Sequence, residues 1–277
     1  MADKDILSGM MASHYGPVQL LRRSESDGEV LFDTSAPLLD PQRATFRSAP
    51  ALLNALAITH RLSLALARDR YAIGQDSRFA IKSISSRNSG LSNGLTGPCR
   101  NSLKFDVISR RHNAITELSV TLSSQNATSG TETSMVFGVM PPSLVKFVRQ
   151  SRAFMDYLES RIDVEKPTLR TISDDRLQYT PSESDRISDG ERVDHVPALV
   201  LIDLAIMILG IDHSPGNDSS LTAEFSNYTD PRIPIDIVRS RPSGAVEFRQ
   251  RDQVTACVIA GLAPSLEGYS DLTGAGT

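Results

Sequence analysis

Two apolar stretches with the same beginning decide the fold of this chain. The second begins with the letters VPALV at Val196–Val200 and stays apolar to Gly210, and the first begins with APALL at Ala49–Leu53 and stays apolar to about Ala67. Proline suits the first turn of a helix, because its missing N–H has no partner to lose there. Gly210 suits a helix C-terminus. Since both stretches are apolar on nearly all sides, they predict two buried helices.

A series of β-type segments follows each predicted helix. They are Phe79–Ile84, Leu103–Arg110, Ala114–Ser123 and Met135–Val139 in the first half, and Leu221–Tyr228, Ile233–Arg239, Ala245–Gln250 and Val254–Leu262 in the second. Two of them match closely, with the letters FDVI at 105–108 and IDIV at 235–238. Short strands joined by turn signals, such as RPSG at 241–244, predict antiparallel meanders.

Each half therefore has the order strand, buried helix, four strands. A long helix wrapped by an antiparallel sheet, present twice, predicts an α+β fold of the tandem or double hotdog type. We place an N-terminal hotdog at 1–141, a connecting helix at 142–165, a C-terminal hotdog at 166–268 and a disordered tail at 269–277. The alternative is a β-rich α+β protein without duplication.

Composition limits the partners of the protein. Among 277 residues, 29 Lys and Arg stand against 33 Asp and Glu, and two cysteines are present. No run of basic residues exceeds two, which disfavours nucleic acid. The N-terminus lacks the apolar core of a signal peptide, and the longest apolar stretch is too short to span a membrane. We therefore expect a cytoplasmic protein that binds neither nucleic acid nor a membrane. No metal or nucleotide motif occurs, so no cofactor is implied.

A single charged residue, Asp203, lies within the second apolar stretch. Helical spacing places it on one stripe with Val196, Leu199, Ile206 and Met207. Because an unpaired buried charge is very unfavourable, this carboxyl group must be paired, hydrogen-bonded or protonated. It is either an acid or base beside a cleft, or half of a buried ion pair with an arginine.

An Asp-His pair precedes the same helix. Asp194 is able to fix the tautomer of His195, and the backbone N–H groups of Ala198 and Leu199 would polarise a carbonyl group at the helix N-terminus. Base, acid and hydrogen-bond donors would then share one small pocket. The alternative is a loop histidine with Asp194 as a helix cap.

The first half lacks this acid and imidazole, since Leu56 stands where Asp203 would fall. A single site in the second half is therefore expected. Arg47, at the start of the first helix, is a candidate for binding an anion. Arg232 and Arg239 flank a predicted strand and are further candidates for a phosphate or carboxylate.

The letters DHVP at Asp194–Pro197, followed by apolar residues and Asp203, resemble the signature of the A-factor (γ-butyrolactone) biosynthesis hotdog family. That signature continues with Gly and ends in Glu, where this chain has Ala198 and Asp203. A further family histidine falls at Glu191. The resemblance implies condensation of a β-ketoacyl thioester with dihydroxyacetone phosphate. Related hotdog dehydratases place their histidine where this chain has Asp189, which argues against plain dehydration.

The sequence thus predicts a hotdog enzyme of natural-product or signal biosynthesis. Its substrate would be a β-ketoacyl or polyketide thioester bound to acyl carrier protein or coenzyme A. His195 would take a proton, Asp203 would act as acid or orienting group, and Asp194 would orient His195. The alternatives are a dehydratase, isomerase or cyclase of the same fold, and a non-catalytic acyl-binding double hotdog. Pairing of two chains into a homodimer remains open.

Overall fold

The computed structural model describes residues 20–35, 50–89, 98–125, 130–150, 164–188, 191–210 and 219–262, except positions 27, 165, 194, 241 and 242. In the first half, the elements are β1 (Leu20–Ser26), β2 (Glu29–Thr34), α1 (Pro50–Arg70), β3 (Arg78–Ser89), β4 (Cys99–Arg111), β5 (Ala114–Gln125) and β6 (Gly130–Met140). Helix α2 (Pro142–Gln150) follows.

Among the described residues, the second half has the same order of elements, with a 3₁₀ turn and a small ribbon before its helix where residues 36–49 of the first half are not described. Its elements are β7 (Thr168–Thr171), β8 (Arg176–Thr180), a 3₁₀ turn (Glu183–Arg186), β9 (Ile187–Ser188), β10 (Glu191–Arg192), α3 (Ala198–Leu209), β11 (Ser219–Phe225), β12 (Ile235–Ser240), β13 (Ala245–Gln250) and β14 (Gln253–Leu262). The small antiparallel ribbon of β9 and β10 immediately precedes the segment leading into α3.

Twelve of the strands form one antiparallel sheet. Its order is β1-β2-β4-β5-β6-β3 followed by β11-β14-β13-β12-β8-β7, so the second half repeats the first in reverse. The halves meet where β3 pairs with β11, from Ser219 opposite Asn88 to Glu224 opposite Ser83. This duplicated arrangement, with one long helix per half, confirms the predicted double hotdog.

The structure corrects the predicted strand order in two respects. First, a simple meander would place β3 beside β4 and β11 beside β12. Instead, β3 lies beside β6, and β11 lies beside β14. In these positions the two strands pair with each other, so neither leaves an open edge in the middle of the sheet. Second, each half begins with a hairpin, β1-β2 or β7-β8, where a single strand was expected.

One hydrophobic cluster extends through both halves. Its largest fully buried side chains include Phe32, Phe137 and Phe248 from the strands and Leu53 and Leu56 from α1. Buried side chains alternate with partly buried ones along β6 and β13, as expected for strands that cover a core on one face. Burial of this aliphatic and Phe-rich surface is the main source of stability.

The ends of α3 follow the predicted signals. Pro197 precedes the helix in an extended conformation, with φ −60° and ψ 148°. Gly210 ends the helix in the left-handed conformation, with φ 62°, and its N–H donates to the carbonyl oxygen of Ile206.

Several predicted segments lie partly or wholly outside the described residues. Helix α2 covers the first part of the expected connecting helix, and residues 151–163 lie outside the described part, as does the tail at 269–277. Within the described residues, no helix combines the length and the apolar character needed to cross a membrane.

Candidate functional site

The first turn of α3 presents unused hydrogen-bond donors. The N–H groups of Val200 and Leu201 donate to the Pro197 carbonyl oxygen, at 3.0 and 3.3 Å. Among the described residues, no side chain caps this helix end, and the N–H groups of Ala198 and Leu199 have no hydrogen-bond partner. These two groups carry the positive end of the helix dipole. A helix start of this kind can offer its N–H groups to a carbonyl oxygen or an anion, and the use of Ala198 and Leu199 in this way stays a prediction.

His195 lies at this helix start and contacts an aromatic ring. Its imidazole is partly buried, and the centroid of the ring is 4.9 Å from that of Tyr228, at an interplanar angle of 55°. The next residue, Val196, donates its N–H to the carbonyl oxygen of Thr229, at 2.9 Å. Tyr228 and Thr229 belong to the loop at 226–234, between β11 and β12. This loop therefore holds the segment that enters α3.

Asp203 lies on the accessible side of α3. Six residues of the helix face the core: Leu201, Ile202, Leu204, Ala205, Ile206 and Ile208. In contrast, Leu199 and Asp203 are only partly buried, and Met207 is 44% exposed. Successive residues differ by about 100° around a helix, so positions 199, 203 and 207 form one stripe. The expectation of a helix buried on all sides is thus wrong for this stripe.

The position of Asp203 brings a carboxyl group within reach of the helix start. It lies four positions after Leu199, which corresponds to about 6 Å along the helix axis. Because Asp203 is partly exposed, its carboxyl group can meet a ligand directly. A ligand whose carbonyl oxygen accepts from the Leu199 N–H can therefore extend along the stripe to Asp203.

Arg232 lies in the same loop as Tyr228 and is held by its neighbour Asp230. The backbone N–H and Nε of Arg232 donate to one carboxylate oxygen at 2.9 and 3.2 Å, and Nη2 donates to the other at 3.3 Å. Asp230 is only 8% exposed. The ion pair therefore orders the loop and partly neutralises the charge of Arg232.

Arg239 lies at the opposite end of α3. Its Nη1 donates to the carbonyl oxygen of Ile208 at 3.3 Å, and its Nη2 donates to that of Asp174 at 2.7 Å. The helix of 12 residues is about 18 Å long, so the structure does not bring Arg239 together with His195. A cation at this end stabilises the helix dipole.

Two further predicted residues, Asp194 and Arg47, lie outside the described residues. In the first half, Leu56 of α1 stands at the position that corresponds to Asp203, and it is fully buried. Within the described residues, no group of His, Cys, Asp and Glu side chains is placed to hold a metal ion.

The loop at 226–234 contains contact residues that the sequence analysis missed. Tyr228 was expected at the end of a strand, but β11 ends at Phe225. The letters NYTDP at 227–231 contain Asn, Thr, Asp and Pro, which are typical of turns and loops. This composition could have shown that the strand ends early.

Solved structures with a similar fold cover most of this chain. An acyl-ACP thioesterase from Bacteroides thetaiotaomicron has a TM-score of 0.51 and 12% identity over 86% of this chain and 100% of its own. A 12:0-ACP thioesterase from Umbellularia californica has a TM-score of 0.43 and 13% identity over 93% and 98% of the two chains. An inactive mutant of the CurK dehydratase has a TM-score of 0.41 and 7% identity over 89% of this chain and 98% of its own.

These neighbours are hotdog-fold thioesterases and dehydratases. At 12% identity, the similarity to the Bacteroides structure shows the fold alone. The sequence matches no protein-family profile and no curated protein.

Proposed function

We propose that this protein is an enzyme that cleaves an acyl thioester at a single site, located at the start of α3. The observation that carries the proposal is the arrangement of three groups along one helix. His195 lies three residues before the helix, the N–H groups of Ala198 and Leu199 in its first turn have no partner among the described residues, and Asp203 lies on its accessible stripe. A base, an oxyanion site and a carboxyl group are the parts that acyl transfer needs.

The helix start would bind the thioester carbonyl. Its oxygen would accept hydrogen bonds from Ala198 and Leu199, and these become stronger as negative charge develops on the oxygen. The helix dipole adds to this stabilisation. The acyl chain would extend along the apolar part of the accessible stripe, past Met207.

His195 would act as the base. Its imidazole takes the proton of an attacking hydroxyl group, and the oxygen forms a bond to the thioester carbonyl carbon. When the tetrahedral intermediate collapses, the carbon–sulfur bond breaks and the imidazolium returns the proton to the departing thiolate. Asp203 would orient the nucleophile, and Asp194 would orient His195, in keeping with the family resemblance.

The nucleophile distinguishes two forms of this reaction. Water would give hydrolysis, the activity named for the Bacteroides acyl-ACP thioesterase. A hydroxylated phosphate such as dihydroxyacetone phosphate would give the condensation that the resemblance to the A-factor family implies. For the second form, we assign the phosphate to Arg232, in the loop beside the site, or to Arg47.

The test uses saturated and β-ketoacyl thioesters of coenzyme A and of acyl carrier protein, each with and without dihydroxyacetone phosphate. Thiol release is followed by absorbance and products by mass spectrometry. We expect thiol release above the uncatalysed rate. Thiol release without dihydroxyacetone phosphate would indicate hydrolysis. Thiol release that requires dihydroxyacetone phosphate would indicate condensation.

A folded protein that releases no thiol from any of these substrates would contradict the proposal. Two outcomes identify the alternatives. Conversion of a β-hydroxyacyl or polyketide thioester with the thioester intact would indicate a dehydratase, isomerase or cyclase. Binding of the thioester without conversion would indicate a non-catalytic acyl-binding double hotdog.

A further inference from the structure

The loop at 226–234 is fixed at both ends by the tip of the β13–β14 hairpin. On one side, the N–H groups of Ser226 and Asn227 donate to the carbonyl oxygen of Thr255, at 2.9 and 3.3 Å. The Asn227 side chain donates to the carbonyl oxygen of Val254, at 3.2 Å. These bonds attach the beginning of the loop to β14.

Gln250, the last residue of β13, attaches the other side of the loop. Its Oε1 accepts from the N–H of Asp230, and its Nε2 donates to the carbonyl oxygens of Asp230 and Ile233, each at 2.7 Å. The side chain thereby forms the same reciprocal pair of bonds with Asp230 that two residues exchange in an antiparallel ladder. Since Gln250 is only 7% exposed, water is poorly placed to replace these bonds.

The residues between the two attachments are those that contact the candidate site. Tyr228 packs against the His195 ring, and the carbonyl oxygen of Thr229 accepts from the N–H of Val196. The position of the imidazole thus depends on a loop whose own position depends on Gln250.

We propose that Gln250 is a positioning residue of the active site, acting on His195 through the loop at 226–234. The catalytic consequence rests on the proposed function, whereas the effect on the His195 ring does not. Removing the Gln250 amide leaves the buried N–H and carbonyl groups of Asp230 and the partly buried carbonyl oxygen of Ile233 without this partner, and an unpaired buried group is costly inside a protein. The loop must move to satisfy them, and Tyr228 and Thr229 move with it.

The experiment compares Gln250→Met with Gln253→Met. Methionine has a similar volume but lacks the amide, so the first variant removes the three bonds while the core remains filled. Gln253 lies opposite Gln250 in the same hairpin and is exposed, which makes it a matched control. Circular dichroism checks the fold of each variant. If Gln250→Met does not fold, Gln250→Glu, which loses both donated bonds, takes its place.

The first readout is the NMR signal of the His195 ring, identified by its absence in His195→Asn. The Tyr228 ring shifts these signals in the native protein. In the Gln250 variant, we expect them to move to the positions seen in Tyr228→Leu, and in Gln253→Met we expect no change. Native His195 signals in a folded Gln250 variant would overturn the proposal.

The second readout is the rate of thioester cleavage. A displaced base lowers kcat, and we expect a loss of about tenfold or more with little change in KM. Unchanged kcat together with displaced His195 signals would overturn the catalytic part of the proposal. A wild-type protein without turnover would contradict the proposed function. In that case, the NMR comparison alone would show whether Gln250 positions the His195 ring.

Discussion

Among single residues, Asp203 is the one whose contact with substrate matters most for the proposed reaction. An otherwise apolar helix carries this carboxyl group on its accessible stripe, between partly buried Leu199 and exposed Met207. Because the side chain is only partly buried, a substrate bound at the helix start can reach it.

Replacement of Asp203 tests this role. Asp203→Asn keeps the size and hydrogen-bonding capacity of the side chain but removes its acid–base chemistry, so we expect kcat for thioester cleavage to fall by about 10²-fold. The free energy of unfolding should change by less than about 1 kcal/mol, the scale of a surface substitution. Asp252→Asn, in the exposed β13–β14 turn, is the control and should keep full activity. Wild-type kcat in Asp203→Asn would remove Asp203 from the mechanism.

The two cysteines are expected to be poor nucleophiles. Burial raises the pKa of the Cys99 thiol, and burial together with the carboxylates of Glu247 and Glu224 raises that of Cys257. A raised pKa means less thiolate at pH 8, and only the thiolate reacts. We expect a disulfide reagent to label the native protein slowly at pH 8, faster as the pH rises, and rapidly after unfolding in urea.

Rapid labelling of both thiols in the folded protein at pH 8 would contradict this expectation. The same measurement provides the background for every assay of thiol release from substrate.

At the scale of elements, the start and end of α3 were predictable because Pro197 and Gly210 are local signals. The strand Ala245–Gln250 was predicted with its observed bounds, since it alternates apolar and polar residues and ends at a turn. The contact between His195 and Tyr228 was not predictable. It depends on a loop that is distant in sequence, and no periodic pattern marks such a contact.

Two glycines with the same backbone conformation offer a test of local packing. Gly210 and Gly244 have φ of 62° and 61°, which disfavours any other L-residue. A Cβ at Gly244 would lie 2.7 Å from the carbonyl oxygen of Ala260, whereas one at Gly210 would meet no atom within 4 Å. We expect Gly210→Ala to cost about 1 kcal/mol from backbone strain alone.

Gly244→Ala should cost more than Gly210→Ala, by about 1–3 kcal/mol, because the Ala260 backbone must move. Urea unfolding of the three proteins measures both differences. An equal loss in the free energy of unfolding for the two substitutions would show that the Ala260 backbone moves away from the new Cβ without strain.

At the scale of the whole molecule, duplication determines the architecture. The repeated apolar stretches revealed two copies of one unit, and the sheet order shows the same duplication. The sequence could not show that β3 and β11 pair at the centre, because pairing partners far apart in the chain leave no local pattern. The functional roles of His195, Asp194 and the arginines stay predictions, since fold similarity does not determine function.

The continuous sheet has a consequence for unfolding. Because β3 pairs with β11 and one hydrophobic cluster contains residues of both halves, neither half can unfold without exposing the other. We expect a single calorimetric transition whose calorimetric and van't Hoff enthalpies agree. Two resolved transitions would show that the halves unfold independently.

The central claim is that His195 is the base of an acyl-thioester-cleaving site at the start of α3. The most direct test is the rate of thiol release from acyl thioesters by the wild type, by His195→Asn and by His112→Asn, the last being a matched change in the exposed β4–β5 turn. We predict that His195→Asn lowers kcat by about 10²–10⁴-fold while His112→Asn keeps the wild-type rate. Equal rates in all three folded proteins would contradict the account.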